Sequence, residues 1–426
     1  ILGNIPVNSQ WNYAVGANWK HFSDNSYQTF VISRNHLNNS AIKYENNIED
    51  PVNLILDYQS EEIENKVRVE NTTRTGPWKV NIGAGFEHAL YRNETFNRIE
   101  QNQEIVVIDF DSELRFNKYS LFGQLSRKIF SDRLAVSFGL RTDFNDYSDV
   151  MLQPVDQLSP RVSLSYSITE KLSLNGNVGR YFQLPAYTVL GFRDNNGVLV
   201  NKENDITYIE VDHYVGGIEY NISSYAKTTV EGFYKLYANY PFLLADSISL
   251  ANLGGDFGVI GNEPVSSSSS GRSYGIEFLL QQKLSKSVYG IVSYTWVRSE
   301  FEDKNGKNVP SAWDNRHLLN LTAGKRFGKD WEVGAKFRLL GGAPYTPFDI
   351  ELSSRKDVWD ITGQGIPDWD RLNEKRFSVA HGLDVRVDKK WFYEKWSLNV
   401  YFDIQNIYNF QAQAQPFLDV VRDENG

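Results

Sequence analysis

The chain has 426 residues, carries a net charge of -9 and contains no cysteine. The lack of cysteine excludes a disulfide framework and any site that needs a thiolate ligand or nucleophile. The acidic balance, without a basic stripe, argues against a nucleic-acid partner, and no apolar run is long enough for a transmembrane helix.

Strand-like segments with alternating apolar and polar residues follow one another along the chain. Clear examples lie at 9–20, 133–141, 330–340, 382–391 and 396–405. Each runs for about ten residues, the length that a tilted membrane-spanning strand needs. The mean hydropathy of -0.45 is compatible with such strands, because their two faces average out as hydrophilic.

The last of these segments shows the alternation most clearly. Every second residue from Trp396 to Ile404 is apolar, and the residues between them are Ser397, Asn399, Tyr401 and Asp403. One face therefore suits lipid and the other suits water. The same argument predicts a lipid-facing row in the segment 133–141, formed by Leu134, Val136, Phe138 and Leu140.

The predicted connections between strands fall into two classes that alternate along the chain. The short turns include 75–77, 131–133, 169–171, 285–287 and 328–330. The long loops cover 36–53, 92–110, 145–157, 185–206, 241–270, 301–312 and 342–375. This alternation indicates an all-β fold, a transmembrane antiparallel β-barrel with short periplasmic turns and long extracellular loops. A soluble β-sandwich is the competing interpretation, but its strands are usually shorter.

The pattern predicts about sixteen strands between residues 9 and 409. The first strand runs into a short turn and the last strand leaves one, so both free ends lie on the long-loop side. Because an unpaired edge is costly in hydrocarbon, we predict one barrel domain over 1–426 that is incomplete at both ends. The pentaserine at 266–270 is predicted to be a flexible linker in a long loop.

Several segments resemble, in the same order, the barrel of TonB-dependent receptors, particularly the shorter receptors common in Bacteroidetes. The resemblance covers residues 50–410. Its first landmark is the hairpin 159–187, with the sequences SPR and GRYFQLP. The others are DHYVGGIEYN from Asp212, SYGIEFLLQQKL from Ser273, WDNRHLLNLT from Trp313, GGAPYTPFD from Gly341, RLNEKRF from Arg371 and DIQNIYN from Asp403.

The resemblance implies a twenty-two-strand barrel in the outer membrane of a Gram-negative bacterium, with a plug domain inside it. This sequence shows no plug, and its strands would correspond to strands six to twenty-one of such a barrel. The implied function is binding of a scarce ligand by the extracellular loops and its import by TonB-dependent active transport. A passive porin-like channel is the alternative.

The resemblance also implies partners. They are membrane lipid, the TonB complex through the missing plug, a small-molecule, metal-chelate, peptide or glycan ligand, and a surface lipoprotein. An outer-membrane barrel enzyme is a further alternative, but no G-x-S-x-G motif is present, so no catalytic residue and no cofactor are predicted.

Ligand recognition is predicted on the loops 185–206, 241–270 and 342–375, which are longer than connectivity requires. Large amphipathic rings contact ligands at low entropic cost. Tyr345, Trp359 and Trp369 are therefore the candidate ligand-binding residues, and packing between loops is the competing interpretation.

Charged residues offer weaker candidates. The six histidines lack paired ligand spacing, and no metal site is predicted from them. Four aspartates in one loop could hold calcium, but a solvated acidic loop is favoured: Asp357, Asp360, Asp368 and Asp370. Inward-facing charges are predicted to bond to a plug: Glu87, Arg141, Arg161, Glu231, Lys235, Glu277, Arg338, Asp384 and Arg386.

Overall fold

The computed structural model describes residues 6–101, 104–253, 261–356, 358–359, 365–413, 416 and 418. Its main sheet has eighteen strands, two of which, Ile248–Ser249 and Asn308–Pro310, are short. The other sixteen form an antiparallel meander in chain order. They are β1 (Val7–Phe22), β2 (Ser26–Tyr44), β3 (Leu54–Thr75), β4 (Trp78–Gln101), β5 (Glu104–Ile129), β6 (Leu134–Asn145), β7 (Leu158–Ser167), β8 (Leu172–Gln183), β9 (Ile209–Asn221), β10 (Ala226–Leu243), β11 (Val265–Ser285), β12 (Val288–Glu302), β13 (His317–Phe327), β14 (Trp331–Leu340), β15 (Ala380–Phe392) and β16 (Ser397–Ile404).

Short turns join the strands at one end of this sheet. The turn between β13 and β14 is 328–330, as predicted, and the turn between β3 and β4 is 76–77. Gly76 has a φ of 55°, a left-handed conformation that glycine adopts without steric cost. The predicted alternation of short turns and long loops is confirmed.

The two faces of the strands follow the predicted alternation. Phe138 and Leu140 on β6 expose 49% and 41% of their surface. Ser137 precedes Phe138 and therefore lies on the opposite face of the strand. Its hydroxyl forms hydrogen bonds with Gln124 (2.7 Å) and Ser126 (2.9 Å) of β5. The apolar face suits lipid and the polar face lines the lumen, so the predicted transmembrane antiparallel β-barrel is confirmed.

Two predicted loops have wrong bounds because strands continue into them. β2 extends to Tyr44, so only 45–53 of the predicted loop 36–53 lies outside the strands. β4 and β5 are 24 and 26 residues long, so most of 92–110 is a hairpin. Strands of this length reach beyond a bilayer. Beyond the bilayer the outward face does not contact lipid, so the residues there need not be apolar. The alternation of apolar and polar residues is therefore weaker in these parts of the strands.

The pentaserine prediction is also wrong. Ser266–Ser270 lie inside β11 and pair with the end of β10, where Ser269 is 2% exposed. The Ser267 hydroxyl accepts a hydrogen bond of 3.0 Å from the Thr207 amide in the preceding long loop. These small side chains let the loop pack closely on the strand, so they serve a packed interface rather than a linker.

The helices are confined to the long loops. They are α1 (Tyr187–Leu190), α2 (Val200–Glu203) and α3 (Ile350–Ser353), with 3₁₀ turns at Glu45–Asn47, Pro51–Asn53, Leu250–Asn252 and Trp369–Arg371. A second small sheet pairs Pro344–Tyr345 with Lys375–Arg376. No helix among the described residues is long and apolar enough to cross a membrane.

The two outermost strands of the meander each have one partner. Among the described residues, β1 pairs with β2 alone and β16 pairs with β15 alone. The prediction of about sixteen strands is confirmed, and the wall that they form is open along these two edges.

An arginine at Phe138 should impair folding much more than an arginine at Ser137. Phe138 lies on the lipid face, where a cation near the bilayer midplane costs about 2–4 kcal/mol, whereas Ser137 faces the polar side. We expect Phe138→Arg to lower the folded fraction in lipid vesicles, measured by heat-dependent gel mobility across a urea series. Equal effects of Phe138→Arg and Ser137→Arg would show that the face assignment is wrong.

Candidate functional site

Five long loops gather at one end of the barrel and pack on one another. They are 146–157, 184–208, 244–264, 303–316 and 341–379, and we call their described residues the loop cap. Fully buried side chains from three of them, Met151, Leu190 and Ile248, belong to a single apolar core. The cap is therefore a folded layer whose apolar core is shared with the barrel wall.

The extended strands β3, β4 and β5 supply the wall on which the loop cap rests. Tyr91 of β4 is 1% exposed and packs against Tyr187, with ring centroids 5.8 Å apart. Phe110 of β5 meets Phe192 edge to face at 5.5 Å. The Asn262 amide donates to the Thr95 hydroxyl at 3.1 Å, so the loop 244–264 is also bonded to this wall.

A charged network fixes α1 to the lumen side of the wall. The Tyr187 hydroxyl donates to the Glu64 carboxylate at 2.7 Å, and the Lys118 ammonium donates to the Tyr187 oxygen at 2.7 Å. Lys118 also bonds to Glu64 at 2.9 Å, and Lys66 bridges Glu64 and Glu87 at 2.6 Å and 3.1 Å. Burial, followed by the charge of Glu64, raises the pKa of Tyr187, so the hydroxyl stays protonated and donates.

Asp314 connects the loop 303–316 to the loop 341–379 and to strand β12. Its side chain has no exposed surface and accepts hydrogen bonds from the Ser299 amide at 2.9 Å and from Arg298 at 3.2 Å. Arg376 binds the same carboxylate, and its guanidinium also donates to the Gly342 carbonyl at 3.0 Å. A buried carboxylate of this kind is stable only because cations and amides surround it.

Two glycines and an asparagine hold the loop 341–379 against its neighbours. A Cβ at Gly341 would overlap the Asn315 carbonyl, and a Cβ at Gly342 would overlap the Phe377 carbonyl. The Asn373 amide donates to the carbonyls of Asn252 and Pro310, both at 2.8 Å. The landmark segments from Trp313, Gly341 and Arg371 therefore meet at one place in the fold.

The first landmark hairpin meets the segment from Asp212 in a second place. Arg161 stacks over the Tyr181 ring at 4.2 Å, and that ring lies 4.5 Å from His213. On the opposite face of the same strands, Arg180 makes two hydrogen bonds of 2.8 Å to the Asp212 carboxylate. The motif residues thus make side-chain contacts between the adjacent strands β7, β8 and β9.

The three candidate ligand-binding residues lie in the loop 341–379 and are half-buried. Tyr345 stacks on Phe377 with ring centroids 4.6 Å apart, and Trp369 packs against the apolar core of the cap. The Trp359 amide donates to the Arg355 carbonyl at 2.8 Å. Packing contacts therefore account for Tyr345 and Trp369, and contact of all three with a ligand stays a prediction.

Two of the four aspartates that were considered as calcium ligands, Asp368 and Asp370, lie among the described residues. Asp357 and Asp360 lie outside the described residues. Asp368 accepts the Asp370 amide at 3.1 Å, and Asp370 pairs with Lys304 of the neighbouring loop. Within the described part of the chain, no group of three or more histidine, cysteine, aspartate or glutamate side chains is arranged to hold a metal ion.

Several inward-facing charges have partners within the wall. Glu87 pairs with Lys66, and Arg338 donates to Asp384 at 2.9 Å. Arg386 makes two hydrogen bonds of 2.8 Å to Asp388. Contact between these residues and a plug stays a prediction, since wall partners and plug partners are compatible.

Residue alternation alone did not identify the network around Glu64 or the role of Asp314. Glu64 and Lys66 lie on β3, Glu87 lies on β4 and Lys118 lies on β5, and only the register of these three strands brings them together. Asp314 and Arg376 are 62 positions apart in sequence. The one available signal was the sequence WDNRH, which marked Asp314 without indicating its partner.

Removal of the Tyr187 hydroxyl should loosen the loop 184–208. A hydrogen bond to a charged group contributes about 1.5–3 kcal/mol, and the Phe ring would keep its contacts with Tyr91 and Phe116. We expect Tyr187→Phe to increase protease cleavage within this loop. Tyr220→Phe, an exposed position on the lipid face, is the control. Unchanged cleavage in Tyr187→Phe would argue against the anchoring role.

The fold of this chain is similar to that of several solved receptors and transporters. It matches the E. coli ferric-catecholate import receptor Fiu with a TM-score of 0.66 and 11% identity, over 96% of this chain and 61% of that one. The copper transporter OprC matches with a TM-score of 0.66 and 12% identity, over 96% and 63%. Pseudomonas aeruginosa FpvA bound to pyoverdine matches with a TM-score of 0.65 and 14% identity, over 96% and 58%.

The chain thus spans about three fifths of the length of these receptors. None of the curated proteins matches it. The family model for the β-barrel of TonB-dependent receptor-like proteins matches residues 3–412. The chain therefore belongs to the TonB-dependent receptor β-barrel family and is located in the outer membrane of a Gram-negative bacterium.

Proposed function

We propose that this chain forms the wall and extracellular loops of a receptor that binds a scarce ligand and imports it by TonB-dependent active transport. The observation that carries the proposal is the loop cap, a packed layer of five loops on the extracellular end of a family barrel. A packed layer supports selective binding, whereas a passive porin needs a lumen that stays open at this end.

A metal chelate is the ligand class that we propose first. The structural neighbours include a ferric-catecholate import receptor, a pyoverdine receptor and a copper transporter. Their identities of 11–14% support a shared fold, so peptide, glycan and other small-molecule ligands stay as alternatives. Members of this family are transporters, and we propose no catalytic role.

We propose that the two free edges of the wall pair with strands outside β1–β16. An orphan backbone group in hydrocarbon costs several kcal/mol, and each edge would expose a row of them. In this arrangement five strands and a plug precede the present wall and one strand follows it. The plug would connect the receptor to the TonB complex, and a surface lipoprotein could contact the loop cap.

Energy-dependent uptake is the experiment that tests this function. The full-length gene product should support accumulation of a labelled ferric catecholate, ferripyoverdine or copper in cells that have TonB, and not in cells that lack it. Accumulation of such a ligand without TonB, at a rate proportional to its concentration, would support a porin instead. If none of these compounds accumulates, the metal-chelate class is wrong.

The aromatic side chains Tyr345, Trp359 and Trp369 should contribute to ligand affinity. We expect their joint replacement by alanine to weaken binding of the imported ligand at least tenfold, roughly the effect of removing one strong aromatic contact. Isothermal titration gives the affinity, and heat-dependent gel mobility checks the fold. Trp313→Ala, an exposed aromatic of the loop 303–316, is the matched control. Unchanged affinity in a folded triple variant would remove these residues from the site.

A further inference from the structure

The periplasmic rim of the barrel carries outward-facing cations that rest on aromatic rings. The Arg127 guanidinium lies 5.1 Å from the Trp78 ring, and the Arg133 guanidinium lies 5.5 Å from the Tyr166 ring. Arg127 has the same parity as Leu121 and Leu125, which expose 52% and 38% of their surface on the lipid face. We call these four residues, Trp78, Arg127, Arg133 and Tyr166, the first rim group.

A second set of the same kind lies on β13, β14 and β15. The Lys389 ammonium is 5.7 Å from the Trp331 ring and 5.4 Å from the Trp391 ring. Lys325 is exposed and shares the parity of the exposed Phe327 on β13. We call Lys325, Trp331, Lys389 and Trp391 the second rim group, and both groups lie within a few residues of a short turn.

The cations of the rim groups differ in their partners from those at the extracellular end of the same outer face. There, Arg92, Arg180 and Arg272 each hold a carboxylate at 2.8–2.9 Å: Glu113, Asp212 and Glu300. Among the described residues, none of the four rim cations forms an ion pair with a carboxylate. Within the described part of the chain, the positive charges of the rim groups are therefore not paired with carboxylates.

The rim cations differ in their other polar contacts. The Nε atom of Arg127 is buried, so only the terminal nitrogens of its guanidinium can reach a ligand, and among the described residues they have no hydrogen-bond partner. The Lys389 ammonium donates to the Lys329 carbonyl, which carries no formal charge. Arg133 uses its Nε and one terminal nitrogen on the carbonyls of Ser167 (3.1 Å) and Ile168 (2.6 Å), which fixes the guanidinium at the end of β7. An aromatic ring beneath a guanidinium leaves the other face and edge open to an oxyanion.

Trp and Tyr at a membrane boundary sit at the level of the lipid headgroups. Cations that rest on those rings lie at the same level, where lipid phosphates are located, and bidentate recognition of phosphate is a property of arginine. We propose that the two rim groups bind the phosphates of anionic phospholipids in the periplasmic leaflet. Charge complementarity selects this ligand, because no carboxylate of the described chain neutralises these cations.

The relative association of spin-labelled phosphatidylglycerol and phosphatidylcholine with the full-length receptor in vesicles tests the proposal. The wild type should prefer phosphatidylglycerol. Each cation removed should lower the preference of its own rim group for phosphatidylglycerol about fivefold. We therefore expect Arg127→Gln with Arg133→Gln to remove most of the preference that comes from the first rim group. Lys325→Gln with Lys389→Gln should do the same for the second. The preference should weaken at high salt, because screening shortens the range of these charges.

Two variants serve as controls. Lys79 and Lys128 neighbour Trp78 and Arg127 but have the opposite parity, toward the lumen, so Lys79→Gln with Lys128→Gln should keep the preference. Arg127→Lys with Arg133→Lys retains the charge and should keep most of it. No phosphatidylglycerol preference in the wild type, or an equal loss in the lumen-facing control, overturns the proposal. Retention of an acidic periplasmic protein by a receptor without lipid preference would overturn it in favour of a protein partner.

Discussion

Every strand of the barrel wall has to satisfy its backbone hydrogen bonds inside the hydrocarbon layer of the membrane. Lipid offers no partner for an amide or a carbonyl, so each spanning strand must bond to a neighbour on both sides. The meander from β1 to β16 meets this requirement for every strand between its two edges. Once the strands are paired in register, alternate side chains must face lipid or lumen, and that explains the apolar and polar faces along β6 and β16.

The paired strands also support the extracellular loops. β3, β4 and β5 are 22, 24 and 26 residues long, and they continue as a wall beyond the bilayer. That wall supplies aromatic side chains, such as Tyr91, and the charged network that receives Tyr187. The loop cap is therefore positioned by strand length and register, and any ligand would meet a surface that is organised before binding.

Buried polar groups give the loop cap its specific arrangement. Asp314 and Asn373 each join loops that are distant in sequence, through hydrogen bonds that apolar packing alone would not direct. Removing one partner of such a network leaves the other polar group buried and unpaired, which is costly. The landmark motifs of this family coincide with these junctions, so their residues are best understood as the joints of the loop cap.

The sequence allowed prediction of the strands better than prediction of the loops. A period of two is a local signal, and it placed Phe138 on the lipid face and the turn 328–330 correctly. That signal weakens beyond the bilayer, so the hairpin within 92–110 and the strand that contains Ser266–Ser270 were assigned to loops.

The candidate site was less accessible to prediction for a physical reason. The partners of Glu64 and Asp314 depend on register and on contacts between distant segments, which no local pattern contains. Alternation marked polar residues on the inward face but gave no information about which strands place them together. Tyr345 and Trp369 were recognisable as large aromatics, yet their packing partners became visible only in the folded loop.

If the long loops form one folded cap that is fixed to the barrel wall, their backbone amides should be protected together. Hydrogen–deuterium exchange of the receptor in a lipid nanodisc measures this protection. The amides of Gly191, Ala312 and Phe377, which bond to Tyr187, Ala251 and Ala343 at 2.8–3.1 Å, should exchange slowly and with similar protection. Exchange of these three amides within seconds, while the amides of the spanning strands stay protected, would contradict a single folded cap.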